Sequence, residues 1–168
     1  IGPGAEIPID IRINTEAMDE GNYSGSLTIL SNDPEHPETE ILVSINVSGQ
    51  PHLEIEEAEI VFPNTYLENE SSLELVIHNS GTATATLEQI SIIGDNPDDF
   101  GTDLELVEIM QRTERIFSVA FHPQELGPRN AQLRVLYSGP NIENDVLEWE
   151  LSGLGQLPPI ILTDPEPD

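Results

Sequence analysis

The stretch Leu147-Glu148-Trp149-Glu150-Leu151-Ser152-Gly153 decides the fold of this chain. Its three large apolar residues alternate with three polar ones, and a glycine closes the run. A period of two puts Leu147, Trp149 and Leu151 on one face of an extended strand and the polar side chains on the other, as in a strand half buried in a sheet. Trp149 reads as a core filler for the same reason. Working outward, the alternation recurs at Leu133, Val135 and Tyr137, at Phe117, Val119 and Phe121, and at Leu73, Leu75 and Ile77. Nearer the start come Ile41, Val43, Ile45 and Val47, then Leu27 and Ile29 after Gly25, then Ile7, Ile9, Ile11 and Ile13. Gly, Pro, Asn and Asp bound these runs. No segment sustains helical spacing, and Thr15 to Glu20 makes one turn at most. The chain reads as all-β, with strands spaced as in immunoglobulin-like β-sandwiches. Phe117, Val119, Phe121, Leu133, Val135, Leu147, Trp149 and Leu151 form its expected core.

The sequence also repeats itself. Gly21 to Leu30 matches Gly127 to Leu136 with an offset of 106, and Ile11 and Ile13 match Phe117 and Val119 with the same offset. Val47-Ser48-Gly49 matches Leu151-Ser152-Gly153 with an offset of 104, which implies a hairpin loop shorter by two residues. A period near the length of one sandwich means tandem repeats, one partial and one complete. Residues 1–49 are then the C-terminal part of one repeat, residues 52–155 a complete repeat, and residues 156–168 a Pro-rich linker or the start of another unit. Joints are expected at Gly49-Gln50-Pro51 and Gly153-Leu154-Gly155, with Pro51 and Pro158 restricting the backbone. Three strands alone leave one inner face bare. Residues 1–49 therefore need strands from upstream chain, from a partner or from the following repeat.

Charge limits the partners. Thirty-two acidic residues stand against five arginines, giving a formal net charge of −27. Nucleic acid binding rests on Lys and Arg neutralising phosphates, so it is excluded, and an anionic membrane surface is disfavoured on the same ground. No apolar stretch approaches the ~20 residues of a membrane helix, and no apolar signal segment follows Ile1. The absence of cysteine removes disulfides, thiol nucleophiles and thiolate metal sites, and suits a bacterial extracellular or a cytoplasmic origin.

Several segments together resemble a known family. They are Leu73-Glu-Leu75-Val-Ile77-His-Asn79-Ser-Gly81, Ile90-Ser-Ile92-Ile-Gly94 running into Asp99-Phe100, Arg115 to Pro123 followed by Gly127 and Leu133-Arg-Val135, and Ser31-Asn32-Asp33-Pro34 with the closing Ser48-Gly49. In order and spacing they are similar to the Hydin-like (ASH-type) immunoglobulin-like domain, related to the major sperm protein fold, over nearly all of residues 1–155. In bacteria that family occurs in surface proteins of the choice-of-anchor D type. Ser138-Gly139-Pro140-Asn141 departs from the Ser-Asn-Asp-Pro pattern of the first hairpin. The resemblance implies a structural or protein-binding module and supplies no catalytic residues.

The residues themselves point the same way. His36, His52, His78 and His122 are far apart in sequence, without the close ligand spacing of a zinc site. No Gly-x-Ser-x-Gly elbow or phosphate-binding glycine loop occurs. The densest polar cluster, Asp95-Asn-Pro-Asp-Asp-Phe-Gly-Thr-Asp103, has the carboxylates calcium favours but not EF-hand spacing. There Phe100 is expected to plug the core while the Asp and Asn residues turn the chain. Asn22, Asn46 and Asn69 each open an N-glycosylation pattern. No residue is assigned a catalytic, cofactor-binding or metal-ligating role. The expected function is a non-catalytic spacer, stalk or adhesive segment of a larger extracellular or cell-surface protein, with neighbouring repeats of the same chain and another protein as partners. The alternatives are a cytoplasmic scaffold, as ciliary relatives of the family imply, and a calcium-dependent adhesion module.

Overall fold

The computed structural model describes residues 8–160. Two antiparallel strands come first, β1 (Gly21–Leu30) and β2 (Glu38–Val47), paired from Gly21↔Val47 to Leu30↔Glu38. A complete β-sandwich follows. One sheet orders β3 (Leu53–Ile55), β6 (Ser71–Asn79), β10 (Glu114–Phe121) and β8 (Phe100–Thr102) as β3-β6-β10-β8. The other contains β4 (Glu59–Val61), β5 (Thr65–Tyr66), β7 (Ala85–Ile93), β9 (Glu108–Ile109), β11 (Gly127–Gly139) and β12 (Ile142–Gln156). Its order is β4-β12-β11-β7-β9, with β5 also beside β12. The chain changes sheets between Ile55 and Glu59, and β4 and β5 then run parallel to β12. Among the described residues the only helical piece is a 3-10 turn at Pro97–Asp99.

The alternation read from the sequence gives the core directly. Phe117, Val119 and Phe121 from β10 face Leu133, Val135, Leu147, Trp149 and Leu151 from β11 and β12, and all eight are buried. Phe117 meets Trp149 edge-on at 5.6 Å between ring centroids. Phe121 stacks on Phe100 at 4.9 Å and tilts against Phe62 at 5.5 Å. Phe100 thus fills the core as expected, at the end of its acidic loop.

Three expectations are corrected. Within the run Ile7 to Ile13, the described part, Ile9 to Ile13, does not form a strand. Residue 7 lies outside the described residues, and residues 8–14 have no ladder partner, with Ile9, Ile11 and Ile13 all exposed. Alternation supplies a face, but a strand also needs a neighbouring backbone to bond.

Gly153-Leu154-Gly155 is not a joint. It lies within β12, where Gly155 pairs with Gly127 and with Thr65. Both glycines are there for contact, since a Cβ on Gly153 would come 2.6 Å from Phe121 Cζ, and one on Gly155 would meet Pro123 Cβ at 3.0 Å.

The matched hairpins also differ in register. Leu27 pairs with Ile41, whereas its counterpart Leu133 pairs with Trp149, which the sequence match equates with Ile45. The shift of four residues is even, so every side chain keeps its face. The turns differ accordingly: β11 and β12 close tightly around Pro140-Asn141, while residues 31–37 form a wider loop tied by Ser31 N–H to the Pro37 carbonyl. The exit stretch 156–168 starts as the last residue of β12 and continues without strand to residue 160, and the rest lies outside the described residues.

Candidate functional site

The feature that sets this molecule apart is the face of the β1–β2 hairpin. Tyr23, Leu27, Val43 and Ile45 share one side of it, as the period of two requires. Ile11, Ile13 and Met18 from the preceding segment lie along that side and with it line an open apolar trough of about 330 Å³. No second sheet covers it among the described residues, and Tyr23, Leu27 and Ile41 are exposed. In the complete repeat the matching strands β11 and β12 present the same kind of face, buried under β10. Ile11 and Ile13 correspond in sequence to Phe117 and Val119, which in the complete repeat belong to the covering sheet.

The polar candidates of the sequence are scattered by the fold. In the Asp95 to Asp103 loop, Asn96, Asp99 and Asp103 each bond a different protein group through their side chains. Asp99 is 3% exposed and takes the Arg129 Nε–H in an ion pair. Its other oxygen accepts the Gln124 N–H at 3.4 Å. Asn96 Oδ1 accepts the Asn130 N–H at 3.0 Å, and Asp103 Oδ1 accepts the Ser118 N–H at 2.6 Å. No three His, Cys, Asp or Glu side chains among the described residues are grouped so as to hold an ion. His78 sits between Glu114 at 3.4 Å and Glu56 at 3.8 Å, His52 lies 3.2 Å from Glu54, and His36 lies 3.9 Å from Asp33. His122, just past the end of β10, is exposed. Asn22 and Asn46 face each other across the hairpin, joined by a side-chain hydrogen bond of 2.9 Å, and Asn69 is exposed.

Sequence reasoning passed over two buried polar groups. Arg129 is held above its ordinary pKa by the hydrogen bond with Asp99, so it stays charged in a site where its side chain is only 14% exposed. Tyr137 donates its hydroxyl to Asp145 at 2.7 Å. Burial, and then this hydrogen bond, push the Tyr137 pKa up to about 12, while the same bond holds Asp145 below its usual value. The scarcity of arginine, five against 32 carboxylates, was the one available signal for the first. The second had none, because Tyr137 and Asp145 meet only through the β11–β12 register.

No protein-family model matches the chain, and no curated protein is similar enough in sequence to show a family. Solved structures do share the fold. The ASH/PapD-like domain of human CEP192 (PapD-like domain 7) superposes with a TM-score of 0.53 at 20% identity, covering 66% of this chain and 89% of that domain. The periplasmic chaperone SfaE gives 0.51 at 14% identity, covering 62% of this chain and 58% of the chaperone. The VesB protease of Vibrio cholerae gives 0.50 at 12% identity over 62% of this chain, but only 32% of the protease. These likenesses show the fold alone: an all-β, immunoglobulin-like sandwich, similar to that of ASH/PapD-like domains.

Proposed function

We propose that this chain is a non-catalytic repeat segment of a larger extracellular or cell-surface protein of the choice-of-anchor D kind, in which successive sandwiches act as spacer and protein-interaction units. Residues 1–49 are the closing part of one repeat, and residues 52 to 155, with Gln156 completing β12, are the next. One observation carries the reading. The β1–β2 hairpin presents an uncovered apolar face, while the hairpin it matches in sequence, β11–β12, buries that face under a second sheet. The occupant of the bare face is the remaining sheet of its own repeat. Bare apolar area of this kind is unfavourable in water, roughly 25 cal/mol for each Å², so a covering sheet is the stable state. The net charge of −27 suits a surface spacer, because like-charged units repel and stay extended and soluble.

The test is protease shaving of intact cells that express the full-length protein with an epitope inside residues 52–155. Loss of the epitope from intact cells supports a surface location. Protection until the cells are lysed would sink it and favour the cytoplasmic scaffold.

A further inference from the structure

The joint between hairpin and sandwich is built as an interface rather than a tether. Gly49 and Pro51, expected as linker residues, are both buried. A Cβ on Gly49 would sit 2.5 Å from the Thr82 carbonyl oxygen, so only glycine lets the exit from β2 rest on the turn after β6. Pro51 packs on Gly139, where a Cβ would come 2.6 Å from the proline Cγ.

Thr82 gathers the backbone bonds. Its carbonyl accepts the Glu20 N–H at 2.8 Å, its hydroxyl accepts the Gln50 N–H at 3.2 Å, and its own N–H donates to the Gln50 carbonyl at 2.9 Å. The turn that carries Thr82 is itself fixed by Asn79, which is 1% exposed. Asn79 Nδ2 donates to the carbonyls of Ala83 and Ile109 at 2.9 Å each, and Oδ1 accepts the N–H groups of His52 and Gly81 at 3.2 and 3.1 Å. All four hydrogen-bonding positions of that amide are therefore engaged.

Two side chains reach across from the sandwich. Arg112 Nε lies 2.9 Å from Asp19 Oδ1, just before β1. Asn141 Nδ2 donates to the Gly49 carbonyl at 2.8 Å and to Ser48 Oγ at 3.0 Å, just after β2. They grip both strands at the open end of the hairpin, where Gly21 pairs with Val47. Each also has a left-handed backbone, with φ of +59° at Arg112 and +63° at Asn141. Glycine adopts that conformation freely, asparagine tolerates it, and arginine is uncommon there. An arginine in that position trades backbone ease for a contact only its side chain can make.

We propose that the Asn79–Thr84 turn, Arg112 and Asn141 form a docking face that receives the tail of the preceding repeat and sets a fixed angle between successive repeats. The partner it fits is an acidic residue and a glycine-bearing strand exit at the end of a sandwich of this same kind. The second repeat carries the acid again. Glu125 stands 106 residues beyond Asp19, just before β11 as Asp19 stands just before β1, and its side chain is 76% exposed. The proposal rests on the reading of residues 1–49 as the end of a repeat, and it does not depend on where in the cell the protein works.

The chain has no cysteine, so two can be introduced and spin-labelled cleanly. Leu42→Cys on β2 and Ile116→Cys on β10 are both exposed positions on strands. Pulsed dipolar spectroscopy on the whole chain is expected to give one narrow distance distribution. Gly49→Val combined with Arg112→Glu should broaden it, with the unfolding midpoint of the sandwich unchanged. Should Gly49→Val prevent folding, Arg112→Glu alone should broaden the distribution and Asp19→Arg in the same chain should narrow it again. Hydrogen exchange of the β1 and β2 amides is read alongside. A broad distribution in the unaltered chain with a protected hairpin overturns the fixed joint and leaves the repeat reading standing. An unprotected hairpin overturns both. A distribution that stays narrow in the variants shows that these contacts do not set the angle, which also overturns the proposal.

Discussion

Replacing Phe121 by alanine tests the sandwich at the point where its two sheets depend on each other most. The ring is fully buried, stacked on Phe100 and tilted against Phe62, and Gly153 of the opposite sheet lies against its edge. Withdrawing such a side chain from the core forfeits about 1.5–3 kcal/mol of transfer free energy. Its two aromatic contacts add about 0.5–1.5 kcal/mol each, and the expected loss is about 3–5 kcal/mol. Gly153→Ala attacks the same contact from the other side. Its new methyl has no room beside Phe121 and should cost about 1–3 kcal/mol by overpacking. In the Phe121→Ala background that methyl enters a void, so the double variant should fall short of additivity by roughly 1–2 kcal/mol. The assay is urea unfolding followed by the fluorescence of Trp149, the only tryptophan. Because Trp149 packs on Phe117, it reports the sandwich and not the hairpin. A loss below about 1 kcal/mol for Phe121→Ala would mean that β10 is read one residue out of register. Strict additivity would mean that Gly153 does not lie against the ring.

Arg129→Met leaves the Asp99 carboxylate buried without its partner and should cost about 3–5 kcal/mol in the same assay, most of it recovered by adding Asp99→Ala. Tyr137 has its pKa raised in the folded state, from 10.0 to about 12. Its stabilising contribution is therefore complete below pH 10 and is lost as pH rises through about 12. The shift corresponds to about 3 kcal/mol, and Tyr137→Phe should abolish this alkaline decline in denaturation midpoints measured from pH 9 upward. With a net charge of −27, the melting temperature should climb from low to molar sodium chloride as the Debye length shrinks from about 10 Å at 0.1 M to about 3 Å at 1 M. A flat or falling series would mean that the charges are already balanced locally. Millimolar calcium should add nothing beyond magnesium at equal ionic strength, because Asp99 and Asp103 are bonded to protein groups. A calcium-specific rise reversed by chelator would restore the loop as a site.

What the sequence determined by itself was which residues face which way. Period two is a local property of an extended backbone, so the alternation at Phe117 to Phe121, Leu133 to Tyr137 and Leu147 to Leu151 placed the core without any partner being known. The one-turn limit at Thr15 to Glu20 was equally local, and the structure has a single turn there, closed by Met18 N–H to the Thr15 carbonyl at 3.1 Å. Everything that needed a second segment escaped. Ile9, Ile11 and Ile13 alternate as well as any strand, yet no strand among the described residues pairs with them. The four-residue slip between the two hairpins was invisible because an even shift preserves the pattern on both faces. Gly153 and Gly155 read as a joint between units, since the sequence does not show whether a glycine links two domains or makes room for a ring. The Asp99–Arg129 pair spans 30 positions, and the contact between Arg112 and Asp19 spans 93. Side chains so far apart along the chain meet only after the sheets have packed, so those contacts, and with them the joint, were decided by tertiary structure alone.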